Sequence, residues 1–369
     1  MDILYRELWV WTKNVLFSMD LDKYWYWQDF LNISKDGIYH FFFLNIDQYR
    51  AFFKHDIIGR VSYDELNRQF LNNVDLQKYY DTLFMFIINK GIQHIVFYGY
   101  GQYWHPVFLK KLKDNNVVIS LFTGDDDTSN IKYISLPYTR YYDYHFHISV
   151  MYNKKITIAE KFKMYNSKNP IRLPLGAIAT HINHNIDFGH RDIDVCYIGN
   201  VNPLKFFRLS KLKKHFWNKF KLYGWQWNGD WKSLKWIFYK IANKLFGLWY
   251  IERLSDEKLC DVYRRTKIWI NMHLVSYKWP SNHRTYELPI NGVMQITDNE
   301  LWVPKIFKVW EEIICYKNMK DAIRKIDYYL SHEEERVMIA KKWYERAIRE
   351  NYTLENTFRV ALDMLFGIS

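Results

Sequence analysis

The chain has 369 residues, more than one hydrophobic core usually serves, so two domains are expected. Its formal net charge of +12 favours anionic partners, among them nucleotide derivatives, nucleic acid and anionic membranes. The three cysteines are far apart in sequence, which argues against a disulfide framework and a cysteine zinc cluster. A reducing, cytoplasmic location is the simplest interpretation.

Neither the first residues nor any apolar run of the sequence predicts membrane insertion. Residues 1–7 contain acidic side chains where a secretory signal would be basic. No uncharged apolar run reaches the ~20 residues that span a bilayer. We therefore expect a protein that is soluble or attached peripherally to a membrane.

The first half of the chain alternates apolar strands with amphipathic helices. The predicted strands lie at residues 39–44, 94–101, 116–122 and 144–150, and the predicted helices lie at 76–90 and 104–114. Strands that alternate with helices favour a parallel sheet covered by helices.

The pattern starts again after a polar, histidine-rich stretch at 181–192, which we interpret as a linker. His181, His184 and His190 lack a cysteine or a close third ligand, so they predict a polar lining rather than a zinc site. The expected domains are residues 1–185 and 186–352, followed by an amphipathic segment at 353–369. In the second domain the predicted strands are 195–198, 220–223, 268–272 and 294–297, and the predicted helices are 208–220, 319–331 and 333–349.

The most informative stretch is 281–292, which places an arginine and a carboxylate three residues apart at a predicted loop-to-helix junction. Arg284 can pair bidentately with a phosphate. Glu287, one turn later, can accept hydrogen bonds from two ribose hydroxyls. A helix N-terminus adds N–H groups for a diphosphate. These residue types suit a nucleotide diphosphate, and an ordinary surface Arg–Glu pair is the alternative.

The region from about Asp194 to Ala361 resembles the donor-binding region of GT-B glycosyltransferases, in particular the CgeB-like group with a glycosyl transferases group 1 domain. The resemblance rests on the order and spacing of short blocks at 194–200, 222–225, 267–271, 282–292, 328–330 and 334–336. It implies a GT-B-like α/β fold, with two Rossmann-type domains whose parallel sheets face an inter-domain cleft. In that family the last helix, here within 353–369, crosses back to the N-terminal domain.

The resemblance also implies a donor site in the second domain for a nucleotide-diphosphate sugar, with a UDP- or GDP-sugar expected. In the family a Glu five residues before a Gly binds the ribose, and Glu287 and Gly292 fit this spacing. Pro280 stands where many relatives carry an acid that faces the sugar. The implied donor-binding residues are Gly199, Asn200, Tyr223, Gly224, Trp225, Asn282, His283, Arg284, Thr285 and Glu287.

The first domain would supply the acceptor side. The glycine turn Gly99-Tyr100-Gly101 and Asp125 are expected to line it, with Asp126 or His105 as a catalytic base. A plain turn, a solvated helix cap and a structural histidine are the alternatives. Adjacent carboxylates at 125–127 can hold Mg²⁺ or Mn²⁺, as in GT-A enzymes. They lie outside the domain of the diphosphate-like site, so no metal is expected.

Two basic segments are each compatible with more than one kind of binding partner. Residues 205–221 contain seven Lys or Arg and no acid, which is typical of a solvated helix face and is also compatible with phosphate tracking along nucleic acid. Residues 231–250 alternate Trp and Phe with four lysines, which favours peripheral contact with an anionic membrane or docking on a partner.

The expected function is that of a hexosyltransferase-like enzyme that moves a sugar from a nucleotide-diphosphate sugar to a glycan, lipid-linked or protein acceptor. Two alternatives remain. The acceptor could be a modified base in DNA, although no nucleic-acid motif supports this. The chain could instead be a non-catalytic sugar-nucleotide-binding module on a degenerate GT-B scaffold, which Pro280 keeps open.

Overall fold

The computed structural model of the protein describes residues 5–8, 13–19, 32–35, 37–45, 68, 70–98, 104–123, 131, 136, 138–153, 155–201, 203–226, 241, 253–273, 282–298 and 303–368. The chain divides into two compact units. The first comprises Met1–Gly176, Trp279–Ser281 and Thr353–Ser369, and the second comprises Ala177–Lys278 and Asn282–Tyr352. Each unit is built around its own sheet.

The sheet of the first unit is parallel except at one edge. Its strands are β1 Tyr5–Leu8, β2 Lys13–Met19, β3 Tyr39–Asn45, β4 His94–Tyr98, β5 Val118–Thr123, β6 Tyr144–His147 and β7 Asn169–Arg172. They are ordered β1-β3-β2-β4-β5-β6-β7, and only β1 runs antiparallel to its neighbour. Among the described residues, three helices connect or flank these strands: α1 Val74–Asn89, α2 Pro106–Asp114 and α3 Ile158–Lys163.

Helix α1 shows why the chain folds this way locally. Asn73 caps its first turn, because the Asn73 side chain accepts a hydrogen bond from the backbone N–H of Leu76. Apolar residues then recur at helical spacing, and Leu76, Leu83 and Ile87 are buried in one cluster with residues of β4 and β5. This apolar face fixes the helix on the sheet.

The sheet of the second unit is parallel throughout. Its strands are β8 Ile193–Val201, β9 Phe220–Gln226, β10 Thr266–Asn271, β11 Met294–Asp298 and β12 Ile314–Tyr316, in the order β12-β11-β10-β8-β9. Its helices are α4 Pro203–Phe216, α5 Asp256–Arg265, α6 His283–Glu287, α7 Val303–Ile306, α8 Met319–Ser331 and α9 Glu333–Arg349.

Side chains alternate between the two faces of this sheet, as the period of a strand requires. One face packs against α4, whose Phe206, Leu209 and Leu212 share a buried cluster with Val195 and Ile270. The other face, which carries Cys196 and Trp269, packs against Leu259 and Tyr263 of α5. Both faces are therefore covered, as in other parallel sheets.

The last helix, α10 Leu354–Phe366, belongs to the first unit. The hydroxyl of Tyr39 donates to Asp363 Oδ1 at 2.5 Å, and the ring of Phe358 contacts that of Phe17 edge-on. Gly176 lies so close to the start of α10 that a Cβ atom there would meet the carbonyl carbon of Thr353 at 2.2 Å. The chain thus returns to the first sheet after completing the second.

Candidate functional site

The predicted loop-to-helix junction is the N-terminus of α6, and it is fixed to the edge of the second sheet. Asn282 caps the helix by accepting a hydrogen bond from the backbone N–H of Thr285 at 3.1 Å. The amides of Asn282 and Asn271 also exchange two hydrogen bonds, of 3.1 and 2.9 Å. Because Asn271 ends β10, these bonds place α6 at the carboxyl edge of the sheet, where parallel α/β folds bind ligands.

Glu287 is the most constrained residue of this site. Its side chain is 1% exposed, and its Oε2 accepts a hydrogen bond from the hydroxyl of Tyr263 at 2.5 Å. The same oxygen accepts from Nη1 of Arg284, which also donates to the Tyr263 hydroxyl at 2.6 Å. The structure therefore brings the predicted pair Arg284 and Glu287 together and adds Tyr263, a residue of α5 that the sequence analysis did not identify.

The electrostatics of this triad keep the carboxylate ionised. Burial would raise the pKa of Glu287, but the charge of Arg284 and contacts from His181, His283 and Tyr263 hold it well below its usual range. Burial likewise acts against the charge of Arg284, and Tyr263 and Glu287 outweigh it, so the pKa of Arg284 is raised. A buried pair that satisfies both charges in this way is stable only as a pair.

The second carboxylate oxygen of Glu287, Oε1, accepts fewer hydrogen bonds than Oε2. His181 Nδ1 lies 3.8 Å from Glu287 Oε1, beyond hydrogen-bond length. No described residue donates a hydrogen bond to Oε1, and His181 Nδ1 is buried without a hydrogen-bond partner in the described part of the chain. Oε1 is thus the oxygen with capacity left for a ligand hydroxyl. His184 and His190 are exposed, so His181 alone of the three linker histidines contributes to this cluster.

A second polar cluster lies where β8, β10 and β11 end. Lys205, in the first turn of α4, donates from Nζ to the Tyr197 hydroxyl at 3.0 Å. Burial lowers the pKa of Lys205 to about 8, although Asp298 opposes this shift. Arg208 Nη1 lies 3.5 Å from Asp298 Oδ2, and His273 Nδ1 lies 2.8 Å from Asp298 Oδ1. Two cations of one helix therefore approach the carboxyl edge, whereas the sequence indicated only a basic helix face for them.

Gly199 and Gly224 are register partners on β8 and β9. Gly224 has a φ of +127°, and a Cβ atom there would lie 2.2 Å from the carbonyl oxygen of Gly199. Only glycine permits this approach. Asn200 and Trp225 pair in the same ladder at the carboxyl ends of the two strands. Tyr223 is half-buried against the apolar cluster that contains Tyr263.

His105 caps a helix. It is 2% exposed, its Nδ1 accepts a hydrogen bond from the Val107 N–H at 3.3 Å, and its ring stacks on Phe70. Burial lowers the pKa of His105 to about 4, so the ring is neutral near pH 7. Other predicted features lie outside the described residues: Gly99, Tyr100, Gly101, Asp125, Asp126, Pro280 and nearly all of 231–250.

The described ranges contain neither a helix that could span a membrane nor a group of side chains that could hold a metal ion. None of the described helices is both long and apolar enough to cross a membrane. Within the same ranges, His, Cys, Asp and Glu side chains form no group of three that could hold a metal ion.

Comparison with known proteins gives this site a family context. Residues 205–363 match the family model Glyco_trans_1_2, described as glycosyl transferase-like. The match includes α4 from Lys205 onwards, the Tyr263–Arg284–Glu287 triad and Asp298. A search of curated proteins found no match.

Solved structures show the fold. HepE from Anabaena in complex with UDP and glucose aligns with a TM-score of 0.63 at 9% identity, over 97% of this chain and 100% of that one. Sucrose-phosphate synthase from Thermosynechococcus elongatus aligns with a TM-score of 0.61 at 9% identity, over the same shares. The predicted fold, two Rossmann-like α/β domains of the GT-B class, is confirmed.

The same architecture also carries another chemistry. UDP-GlcNAc 2-epimerase from Neisseria meningitidis bound to UDP-GlcNAc aligns with a TM-score of 0.51 at 12% identity, over 96% of this chain and 100% of that one. The fold alone therefore does not determine which reaction a protein catalyses. The family match over 205–363 is what points to transfer of a sugar.

Proposed function

We propose that the protein is a glycosyltransferase that moves a sugar from a nucleotide-diphosphate sugar, a UDP- or GDP-sugar, to a glycan, lipid-linked or protein acceptor. The observation that carries the proposal is the buried, ionised Glu287, held by Tyr263 and Arg284 at the carboxyl edge of a parallel sheet. It lies inside the stretch that matches the glycosyl transferase-like family. The UDP present in the HepE complex supports the donor class.

In this proposal Glu287 binds the ribose through Oε1, the oxygen to which no described residue donates. Arg284 uses Nη1 for Glu287 and Tyr263, which leaves its Nε and Nη2 groups for the diphosphate. Lys205 and Arg208 add positive charge from α4. Gly199, Asn200, Tyr223, Gly224, Trp225, Asn282, His283 and Thr285 complete the proposed donor site.

Catalysis would be mainly electrostatic. The leaving diphosphate acquires charge as the glycosidic bond breaks, and cations already fixed in the protein stabilise that charge without reorganisation. Lys205, Arg208 and Arg284 can supply this stabilisation, so we propose a metal-independent reaction. The acceptor hydroxyl would be held by residues around Gly99–Gly101 and Asp125 and deprotonated by Asp126, because His105 already uses Nδ1 to cap α2 and has a pKa lowered by burial. Within this proposal we assign the chain to the CgeB-like group and to the cytoplasm.

A donor screen tests the proposal first. Thermal-shift and calorimetric titration with UDP-, GDP-, ADP- and CMP-sugars should reveal one preferred nucleotide. Glu287→Gln should lower the affinity for that nucleotide more than the affinity for its 2′,3′-dideoxy analogue. Only the intact ribose offers hydroxyls to the carboxylate. Equal affinity of all nucleotides, or no binding at all, would contradict the donor assignment.

Product analysis then separates the activities. Slow hydrolysis of the donor without acceptor would argue against a non-catalytic binding module. If NMR detects conversion of a UDP-sugar to its C2 epimer, the activity is epimerisation and not sugar transfer. Retention on duplex DNA that weakens with salt would favour a modified base as the acceptor.

A further inference from the structure

Helix α4 exposes an aromatic and basic surface on the side away from the sheet. We call Phe207, Lys211, Lys214 and Trp217 the α4 outer face. Residues 207, 211 and 214 are spaced by four and three, so they share one side of the helix. Phe207 is 65% exposed and Trp217, just after the helix, is 71% exposed. The buried side of the same helix consists of Phe206, Leu209, Leu212 and Phe216.

The backbone at Trp217 is unusual. Its φ is +49°, in the left-handed region that is unfavourable for a residue with a Cβ atom. Strain of this kind is usually offset by packing, yet most of this ring remains in solvent. The Trp217 carbonyl accepts a hydrogen bond from Lys213 Nζ at 3.2 Å, which holds the turn in place. The fold therefore presents a large aromatic side chain outwards at the end of a basic helix.

All formally charged residues in the segment that contains α4 are positive. Residues 205–221 contain seven Lys or Arg and no Asp or Glu. Lys205 and Arg208 contact Tyr197 and Asp298 on another side of the helix. Towards α8, His215 Nε2 lies 2.8 Å from Asp327 Oδ2. The two lysines of the α4 outer face thus form no ion pair with a described carboxylate.

We propose that the α4 outer face binds an anionic lipid surface. Exposed Phe and Trp rings can enter the boundary between headgroups and acyl chains, while neighbouring lysines meet anionic headgroups. Insertion of the two exposed rings needs an apolar layer, which a lipid surface offers and a nucleic-acid backbone does not, so these residues favour lipid over nucleic acid. Lys205, Arg208, Tyr263, Arg284 and Glu287 lie outside this face, so lipid binding is independent of the proposed function.

Vesicle co-sedimentation tests the inference. The full-length protein should bind vesicles of phosphatidylcholine with phosphatidylserine at low salt, bind phosphatidylcholine alone weakly, and dissociate at high salt. Lys211→Gln with Lys214→Gln should weaken binding by about 30-fold, because each lysine near such a surface contributes about fivefold. Phe207→Ser with Trp217→Asn should weaken binding at least tenfold.

Two features of these variants keep the test specific. Asn tolerates a left-handed backbone better than Trp, so Trp217→Asn should leave the melting temperature unchanged or raised. Trp310→Ser is the matched control, since Trp310 is another tryptophan of this unit, is 59% exposed and lies in a turn outside α4, with Lys325 Nζ over its ring. It should bind vesicles like the unsubstituted protein.

Three outcomes would overturn the inference. The unsubstituted protein could fail to bind anionic vesicles at low salt. The α4 variants could bind anionic vesicles as well as Trp310→Ser does, while the double variant Trp236→Glu with Phe246→Glu fails to bind them. That result would assign membrane contact to residues 231–250. The α4 variants could lose affinity for a DNA duplex and keep affinity for vesicles, which would identify the partner as nucleic acid.

Discussion

The hydroxyl of Tyr263 lies 2.5 Å from Oε2 of Glu287, and this bond joins α5 to α6 through two residues that are 24 positions apart along the chain. It matters because the carboxylate is buried, and a buried charge is costly unless hydrogen bonds and an opposite charge satisfy it. Tyr263 supplies one donor and Arg284 the other. The geometry of Glu287 therefore depends on α5 as much as on its own helix.

Tyr263→Phe should lower donor affinity about tenfold, because removal of one hydrogen bond to a charged group allows the Glu287 carboxylate to move. Calorimetric titration with the preferred nucleotide measures the effect. Tyr142→Phe removes a hydroxyl from a buried residue of the first unit and should leave affinity unchanged. Equal donor affinity of the two variants would show that the Tyr263 hydroxyl does not contribute to donor binding.

Arg284→Ala should lower donor affinity by roughly ten- to a hundredfold, since a charge-assisted pair with the diphosphate contributes about 1.5–3 kcal/mol. It should also destabilise the fold by about 3–5 kcal/mol, because it leaves the buried Glu287 carboxylate without its cation.

The double variant Arg284→Ala with Glu287→Gln separates these two effects. Neutralising the carboxylate should restore most of the lost stability, measured by urea unfolding, but should not restore affinity. Unchanged affinity of a folded Arg284→Ala protein would remove Arg284 from the donor site.

The depressed pKa of Glu287 predicts acid-sensitive stability. A carboxylate whose folded pKa lies below its ordinary value of 4.5 stabilises the fold above that pH, and the contribution is lost as the pH falls towards the folded pKa. The free energy of unfolding should therefore decline below about pH 4.5. Glu287→Gln should show a shallower decline than the unsubstituted protein in urea titrations between pH 3 and 6, and parallel curves would contradict the assignment.

Long elements with charged outer faces could be predicted from sequence alone. The predicted helices 319–331 and 333–349 have the bounds of α8 and α9. Helix α4 was predicted at 208–220 but begins at Pro203, a residue that favours the first turn of a helix. The antiparallel edge strand β1 and the short β7 and β12 carried too little periodicity to be recognised.

Helix α5 was missed, and with it Tyr263. A signal was present, because Ser255 caps the helix, acids occupy its first turn, and Arg264 and Arg265 occupy its last. The contact with Glu287 could not be predicted even so, since it depends on how α5 and α6 pack on the same sheet. The same holds for His273 and Asp298, which meet only because β10 and β11 are neighbours.

Donor turnover should survive EDTA, because the proposed diphosphate site uses arginine and lysine side chains and Asp125–Asp127 lies in the first unit. The measurement is a steady-state rate before and after chelation, with dialysis to remove bound metal. Loss of the rate on chelation and its recovery with Mn²⁺ would instead favour a metal–diphosphate site.

Lys205 should make donor affinity depend on pH. Burial lowers its pKa to about 8, from an ordinary value of 10.5, so the free protein loses this charge as the pH rises through 8. A diphosphate binds the charged form better, and its affinity should therefore fall between pH 7 and 9.5 in calorimetric titrations. Lys205→Arg keeps the charge over this range and should flatten the profile.

Lys205→Gln should lower affinity at pH 7 and also flatten the profile, because no charge remains to be lost. Lys211→Gln, on the exposed side of the same helix, is the matched control and should retain the profile of the unsubstituted protein. A fall in affinity that persists in both Lys205 variants would assign the titration to another group and remove Lys205 from the diphosphate site.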